Sequence, residues 1–213
     1  RRDFKAGGRS ASAIVDADFD GDGKRDVAVA LKAQYVPVWH TETSDHDQVV
    51  ILRGDPSNPG RFLTPDETVD SIDRFNVGTI ADANPIALAT ALFDSGTIPD
   101  LVSANEGTGS SDSNITVILN PLTGSITPTT YSVPYPPRAL SIGDFNGDGK
   151  ADIAVACGTS PGKVAIFLND GSGGFSEESS SPHSVTGNDT TGIGAHDFSG
   201  DGKIDLAVVT RSD

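Results

Sequence analysis

Three segments of the chain repeat one pattern of carboxylates and glycines, and this pattern has the chemistry of a cation site. The segments begin at Asp18, Asp144 and Asp197 and read DFDGDGKRD, DFNGDGKAD and DFSGDGKID. Side chains that carry oxygen recur at positions one, three, five and nine, and glycine stands at position six. Ca²⁺ takes about six to eight oxygen ligands, so a short loop must turn tightly enough to aim alternate side chains inward. The spacing therefore predicts three calcium loops.

Each loop is predicted to supply four side chains and one backbone carbonyl to its ion. Glycine at position six allows the bend, because a residue without Cβ tolerates a positive φ. The predicted ligands are Asp18, Asp20, Asp22 and Asp26 with the carbonyl of Lys24; Asp144, Asn146, Asp148 and Asp152 with the carbonyl of Lys150; and Asp197, Ser199, Asp201 and Asp205 with the carbonyl of Lys203.

An EF-hand loop begins in the same way and must be distinguished from these segments. It needs a bidentate Glu at position twelve and a helix on each side. Position twelve here is Val29, Val155 or Val208. The flanking segments are short, apolar and β-branched, which is typical of strands. Each loop is therefore predicted to join two strands, with the ninth residue as its last ligand.

The pattern D-F-[ND]-G-D-G-K-x-D-[IVL]-A-V resembles the FG-GAP/VCBS-type repeat of integrin α-subunit-like β-propellers and of many secreted bacterial proteins. Three full copies in one chain make the resemblance specific. It implies an all-β fold, a calcium-binding β-propeller built from four-stranded blades.

A fourth segment, residues 92–100, keeps the length of the loop but not its ligands. Leucine, glycine and threonine stand at positions one, five and six, and only Asp94 and Asp100 remain as oxygen ligands. We predict that this loop binds no metal and that Leu92 and Pro99 hold its shape by packing.

A phenylalanine follows the first position of all four segments, and these phenylalanines lie 74, 52 and 53 residues apart. A period near 50 with four short strands per unit is typical of propeller blades. We expect the phenylalanines to form core between blades. The predicted blades are residues 13–86, 87–136 and 137–190, with a half blade at 191–213 that residues 1–12 complete, giving about four blades or part of a larger propeller. Third strands are predicted at residues 48–53, 114–120 and 163–169.

Composition narrows the function classes. The formal net charge of −15 argues against nucleic acid or an anionic membrane as a partner. No apolar run approaches the roughly 20 residues of a membrane span. The one cysteine, Cys157, follows Ala-Val-Ala and is predicted to be a small buried hydrophobe. Since the chain contains no Met, we expect a processed product or an excised piece.

No catalytic pattern is present in the sequence: there is no G-x-S-x-G, H-E-x-x-H, P-loop or dinucleotide fingerprint, and His183 and His196 stand alone. Extracellular modules bind calcium at about 10⁻⁴ to 10⁻³ M, so such loops would be empty in the cytosol. We therefore expect a non-enzymatic, secreted or cell-surface, calcium-stabilised propeller for adhesion, self-assembly or ligand display. Its partners would be a protein or glycan at the cell surface, or further copies that form a homo-oligomer or filament and complete the propeller.

Carbohydrate binding is the alternative, because similar propellers include lectins and accessory domains of secreted polysaccharide-active enzymes. The aromatic side chains available for stacking on a sugar are Tyr35, Trp39, Tyr131 and Tyr135.

Three further motifs raise the questions of a zinc site, of recognition by integrins and of glycosylation. Residues 40–47 contain two His and two Asp, but their spacing matches no zinc pattern, so a solvated loop is favoured. Residues 53–55 read Arg-Gly-Asp, the tripeptide that integrins recognise, although Gly-Asp also suits a hairpin turn. Asn114 and Asn188 fit N-glycosylation sequons.

Overall fold

Short apolar segments separated by turns rich in glycine and aspartate become fifteen strands, and the described residues contain no helix. In the computed structural model, the described residues are 10–32, 47–58, 61–63, 73–78, 83–109, 111–123 and 126–211. Within these ranges, no helix has the length and hydropathy needed to cross a lipid bilayer.

The strands form four antiparallel sheets, which we call blades 1 to 4, and within each sheet the main strands lie in chain order. Blade 1 contains β1 (Ser10–Ala17), β2 (Asp26–Lys32), β3 (Gln48–Leu52) and β4 (Asp73–Asn76). Blade 2 contains β5 (Pro85–Ala91), β6 (Asp100–Asn105), β7 (Asn114–Ile118) and β8 (Thr129–Ser132). Blade 3 contains β9 (Pro137–Gly143), β10 (Asp152–Cys157), β11 (Lys163–Asn169) and β12 (Phe175–Glu177), with β13 (His183–Ser184) also paired to β11. Blade 4 contains β14 (Asn188–His196) and β15 (Asp205–Arg211).

The prediction of an all-β fold made of four-stranded propeller blades is confirmed. The predicted third strands correspond to β3, β7 and β11. Of residues 1–12, which were predicted to complete blade 4, residues 10–12 belong to β1, where Ser10 pairs with Lys32 of β2. Residues 1–9 lie outside the described residues.

The middle strands are buried on both faces because neighbouring blades cover them. All residues of β6, β7 and β10 are buried. This explains why these segments lack the regular alternation of apolar and polar residues that a half-exposed strand shows.

The recurring phenylalanine packs between blades, as predicted. Phe19 is fully buried in a cluster that joins blade 1 to Leu101 of blade 2. Phe93 is fully buried in a cluster that joins blade 2 to Ile153 of blade 3. Phe145 packs against the cluster that joins blades 3 and 4. In each case the phenylalanine contacts the blade that follows its own in the chain.

The first strands of the blades lie side by side in chain order. β1 contacts β5, β5 contacts β9, and β9 contacts β14. Among the described residues no contact of similar extent joins β14 or β15 back to β1. The blades therefore form an open row rather than a closed ring.

A line of polar contacts, which we call the polar row, crosses blades 2 to 4 at the end of the strands opposite to the loops. Asn84 donates to Glu106 Oε2 at 2.8 Å. Arg138 forms ion pairs with Glu106 of blade 2 and, at 3.7 Å, with Asp189 of blade 4. Asp189 also pairs with Arg211 at 3.5 Å. The row therefore joins blades 2, 3 and 4 through side-chain contacts.

Candidate metal centres

Each of the four aspartate-containing segments joins the first and second strands of its blade. Loop 1 is residues 18–26, loop 2 is residues 92–100, loop 3 is residues 144–152 and loop 4 is residues 197–205. The flanking elements are strands in every case. The loops are therefore not EF-hands, as the missing glutamate at position twelve predicted.

The first aspartate of each intact loop organises the backbone of the turn. The two carboxylate oxygens of Asp18 accept hydrogen bonds from the backbone N–H groups of Gly21 and Gly23, both at 2.8 Å. Asp144 and Asp197 accept bonds from the same two positions of their loops at 2.7 and 2.8 Å. The glycines at positions four and six have φ between 76° and 85°, a region that side chains with Cβ disfavour. The need for glycine at position four was not predicted.

The aspartates of loop 1 bring their carboxylates together. Oδ1 of Asp20 accepts the backbone N–H of Asp22 at 3.2 Å, and Oδ1 of Asp22 accepts the backbone N–H of position seven at 2.7 Å. One oxygen from each of Asp18, Asp20 and Asp22 lies within 4.8 Å of the others. Across the described part of the chain, no other trio of Asp, Glu, His or Cys side chains comes this close. Loops 3 and 4 instead carry the neutral oxygens of Asn146 and Ser199 at position three.

The ninth aspartate joins the loop to the end of the third strand. Asp26 accepts the backbone N–H of Phe19 and that of Gly54, both at 2.8 Å. Asp152 is bonded in the same way. It accepts the backbone N–H of Phe145 at 3.0 Å and that of Asn169, the last residue of β11, at 2.8 Å. A carboxylate has about four lone-pair sites, so two hydrogen bonds leave acceptor capacity on each oxygen for a cation.

The electrostatics of the ninth aspartate favour a nearby cation. Burial raises the pKa of Asp26, and the charges of Asp20 and Asp18 raise it further. Burial and the acidic neighbours of loop 3, first among them Asp148, raise the pKa of Asp152 as well. A buried carboxylate beside like charges is unfavourable unless a proton or cation is close. Because all the side-chain donors are oxygens, the set suits a hard ion such as Ca²⁺.

Asp94 holds loop 2 in shape through two hydrogen bonds, one within the loop and one to the turn after β7. Asp94 accepts the backbone N–H of Gly96 at 2.7 Å and the side-chain Nδ2 of Asn120 at 2.8 Å. Leu92 is 49% exposed, so the prediction that this side chain packs to hold the loop is wrong. Positions four and six carry serine and threonine, and neither has a positive φ. The backbone therefore cannot follow the path of the intact loops.

The aromatic residues proposed for sugar stacking divide into two groups. Tyr131 packs edge-on against Phe175 at 5.8 Å, and its hydroxyl accepts the backbone N–H of Phe175 at 3.2 Å. Tyr135 packs against the same core between blades 2 and 3. These two rings therefore pack against the hydrophobic core between blades 2 and 3. Tyr35 and Trp39 lie outside the described residues, as do residues 40–46 of the solvated loop.

The Arg-Gly-Asp tripeptide and the sequon at Asn114 are both held by contacts within the fold. Arg53 pairs with Asp73 at 3.0 Å, and Gly54 is buried with its N–H on Asp26, so the Arg-Gly-Asp tripeptide is not displayed. Asn114 is 3% exposed and both accepts and donates side-chain hydrogen bonds. This sequon is therefore inaccessible in the folded protein.

His183 and His196 have neighbours that the sequence did not predict. Nε2 of His183 lies 3.0 Å from Glu178, and the hydroxyl of Ser180 bonds to the same carboxylate. This is not the order of a catalytic triad, in which histidine stands between the hydroxyl and the acid. His196 packs edge-on against Phe198 at 5.5 Å.

Comparison with protein-family models matches residues 93–155 and residues 144–208 to the FG-GAP-like repeat. The two matches together span more than half of the 213 residues. The chain belongs to the FG-GAP-like repeat family. Each FG-GAP-like repeat runs from the loop of one blade into the second strand of the next blade. No curated protein matches the chain in a sequence comparison.

Loop 1 lies outside the residues that match the FG-GAP-like repeat. Its hydrogen bonds nevertheless follow those of loop 3 position by position, from the first aspartate to the ninth. The geometry therefore extends the repeat to blade 1.

Proposed function

We propose that this FG-GAP-like repeat array is a non-enzymatic, calcium-stabilised module that acts outside the cell in adhesion, assembly or ligand display. The observation that carries the proposal is the acidic trio of loop 1, in which ligand oxygens of Asp18, Asp20 and Asp22 converge within 4.8 Å. In loops 3 and 4 the first aspartate accepts the same two backbone N–H bonds as in loop 1. The ninth aspartate of loop 4, Asp205, accepts the backbone N–H of Ser199. We assign calcium to loops 1, 3 and 4, with the ligands predicted from the sequence, and none to loop 2.

The role of the ion in this proposal is structural. It supplies the positive charge that holds positions one, three, five and nine together. In loops 1 and 3 this order extends to the rest of the blade, because Asp26 and Asp152 bond to the end of the third strand. Loop 1 also lies against loop 2, since a Cβ placed on Gly21 would lie only 2.8 Å from Cδ1 of Ile98. An ordered loop therefore supports both its own blade and the following one.

The size of the effect follows from mass action. A site whose Kd is about tenfold below the free calcium concentration stabilises the fold by about 1.4 kcal/mol. Three such sites would contribute about 4 kcal/mol, a large share of the roughly 5 to 15 kcal/mol of a typical domain. Three bound ions would also lower the net charge from −15 to −9 and with it the self-repulsion of the chain.

The extracellular assignment is supported by the calcium affinity that is typical of such loops. Loops of this kind in extracellular modules bind calcium at about 10⁻⁴ to 10⁻³ M, which requires the calcium concentration found outside cells. The partner at the cell surface would be a protein or a glycan. A glycan array probed in calcium distinguishes the two, because a lectin-like module would give reproducible hits.

The test is calcium titration of matched variants. We expect calorimetry to give three sites and the melting temperature to be higher in millimolar calcium than in chelator. Asp148→Asn in loop 3 should remove one site and roughly a third of the calcium-dependent stabilisation. Asp94→Asn, the same substitution at position three of loop 2, should leave the number of sites unchanged. Equal melting temperatures of the unaltered chain in calcium and in chelator would refute the structural role of calcium.

A further inference from the structure

Asn169, the last residue of β11, bonds to two loops at once. Its backbone N–H donates to Oδ1 of Asp152, the ninth residue of loop 3, at 2.8 Å. Its side-chain Nδ2 donates to the carbonyl oxygens of Ala151 in loop 3 and of Phe93 in loop 2, both at 3.0 Å. Its Oδ1 accepts the backbone N–H of Gly171, in the turn after β11, at 2.8 Å. One side chain therefore joins blade 2 to blade 3 at the loop end of the strands.

The side chain of Asn169 has every partner that its chemistry requires. The residue is 4% exposed. Nδ2 faces two carbonyl oxygens and Oδ1 faces an N–H group, so the donor and the acceptor of the amide are both matched. Loss of such a partner in a buried place is unfavourable. A movement of loop 3 that displaces Asn169 therefore also disturbs loop 2.

At the other end of this bridge, both backbone groups of Phe93 are bonded. Its carbonyl accepts from Asn169, and its N–H donates to Oδ2 of Asp100 at 2.7 Å. Its ring is fully buried in the cluster between blades 2 and 3. Loop 2 has no ion ligand at positions one and five, so its order comes from hydrogen bonds and packing. The bond from blade 3 is one of these contacts.

Blades 1 and 2 lack this bridge at the equivalent position. Gly54 and Asn120 are equivalent to Asn169, because the backbone N–H of each donates to the ninth aspartate of its loop. Gly54 has no side chain. The amide of Asn120 donates to Asp94 of its own loop at 2.8 Å. The bridge between neighbouring loops is therefore a property of Asn169 and not a general consequence of the repeat.

We propose that Asn169 is a positioning residue that couples loop 3 to loop 2, so that calcium binding in loop 3 also orders the loop that binds none. Asp152 is an assigned ligand of loop 3, and the bonds of Asn169 to Asp152 and Ala151 extend its order to the carbonyl of Phe93. The inference rests on the calcium site proposed for loop 3. It goes beyond that site, because it makes a metal-free loop respond to calcium.

Coupling between two loops acts in both directions. If calcium binding in loop 3 stabilises the ordered form of loop 2, ordered loop 2 raises the calcium affinity of loop 3 by the same factor. Replacing a residue that orients a metal ligand typically lowers metal affinity by about 10- to 100-fold. Asn169→Gly keeps the backbone N–H that bonds to Asp152, so we expect an effect at the lower end of this range.

The test is NMR titration of the whole chain with calcium chloride. The amides of Gly23, Gly149 and Gly202 bond to the first aspartates of loops 1, 3 and 4, so they report calcium affinity loop by loop. Asn169→Gly introduces the residue that blade 1 has at this position. It should lower the calcium affinity of loop 3 by about tenfold and leave loops 1 and 4 unchanged.

Asn105→Gly is the matched control. Asn105 is the last residue of β6 and is fully buried, and its amide donates to Asn114 and Thr116. It lies at the end of the strands opposite to the loops, so this variant loses a buried amide without changing a loop contact. The affinity of loop 3 should stay unchanged. An equal fall in both variants, or no fall in Asn169→Gly, would show a structural role alone and overturn the proposal.

Hydrogen exchange of the Phe93 N–H measures the coupling in the unaltered chain. Saturation with calcium should slow this exchange, and Asn169→Gly should remove the protection. Asp148→Asn, which disables loop 3, should remove it too, whereas Asp201→Asn, the same change in loop 4, should retain it. Protection that survives in Asp148→Asn would come from another loop and would contradict the coupling.

The same titration separates this inference from the calcium proposal. If Gly149 does not respond to calcium, loop 3 is not a calcium site and both proposals fail. If Gly149 responds while the exchange of the Phe93 N–H is the same with and without calcium, the calcium site stands and the coupling is rejected.

Discussion

The backbone N–H of Asn120 donates a 2.8 Å hydrogen bond to the carboxylate of Asp100. The other oxygen of Asp100 accepts the backbone N–H of Phe93 at 2.7 Å, and the side chain is fully buried. Loop 2 has lost two of the side chains that would hold an ion, at positions one and five, yet this arrangement matches those of Asp26 and Asp152. The ninth aspartate therefore ties its loop to the third strand whether or not the loop has the residues to bind metal.

Asp100→Asn should destabilise the protein. The amide nitrogen would face one of the two backbone donors, Phe93 or Asn120, and leave that buried N–H without an acceptor. Such a loss lowers the free energy of unfolding by about 1 to 3 kcal/mol. Urea unfolding in chelator measures it. Asp16→Asn, at a side chain that is 62% exposed, is the matched control and should change stability by less than about 0.5 kcal/mol.

The effect of Asp100→Asn should depend on pH. Burial raises the pKa of Asp100 above its ordinary value, so the folded state holds this proton more tightly than the unfolded chain does. The resulting stabilisation is complete below the unfolded pKa of about 3.9 and is lost as pH rises through the folded pKa. Asparagine does not titrate. The stability gap between the unaltered chain and the variant should therefore be larger at about pH 4 than at about pH 7. A gap that widens toward neutral pH would contradict this prediction.

Arg53→Leu should raise the calcium affinity of loop 1. The guanidinium of Arg53 lies 3.7 Å from Asp20 and 3.0 Å from Asp73, so it offers positive charge to a carboxylate that we assign to the ion. The equivalent residue of blades 2 and 3 is leucine. Because solvent screens this partly exposed pair, we expect an increase of about two- to fivefold. Titration calorimetry measures it. Arg211→Leu, in the polar row, is the control and should leave the affinity unchanged.

Two glycines of blade 4 should respond to alanine in opposite ways. Gly202 has a φ of 85° and Gly194 has no positive φ, and an added Cβ would meet no atom within 4 Å at either position. Gly202→Ala should destabilise the protein by about 1 to 2 kcal/mol, because only the backbone conformation is penalised. Gly194→Ala should be neutral or stabilising by up to about 1 kcal/mol, because it restricts the unfolded chain. Thermal melting of both variants in calcium gives the comparison, and equal losses would contradict it.

The thiol of Cys157 should report unfolding. This side chain is fully buried, and burial raises its pKa to about 12. Since the thiolate is the reactive form, the folded protein should not react with an aromatic disulfide reagent at mildly alkaline pH, whereas the protein in denaturant should react completely. If calcium stabilises the fold, it should slow the reaction at intermediate denaturant concentrations. Fast labelling of the native protein would show that the thiol is accessible.

The sequence predicted the parts of this fold that depend on local repetition. Strand, loop and phenylalanine recur with one spacing, so the blades, the loop positions and the core between blades could be inferred from the chain alone. The burial of Cys157 was also predicted, from the apolar run before it. The loss of two ligands from loop 2, and of the glycine at its position six, was equally visible in the sequence.

The contacts that the sequence did not predict join residues far apart in the chain. Nothing local to Asp100 indicates that its partner is the backbone of Asn120, because a backbone N–H carries no residue signature. The role of Leu92 was predicted wrongly because hydrophobicity was taken to mean burial, whereas Asp94 closes the loop through a distant amide. One signal was available in the chain: Asp100 is retained although the aspartates at positions one and five are lost.

The polar row and the aspartate loops lie at opposite ends of the same strands. Opposite charges attract along the row, through Glu106, Arg138 and Asp189, whereas like charges crowd the loops. Dissolved ions weaken both effects. Raising the ionic strength therefore weakens a stabilising attraction at one edge and a destabilising repulsion at the other. In the absence of calcium, the change in stability with salt is the difference between these two effects.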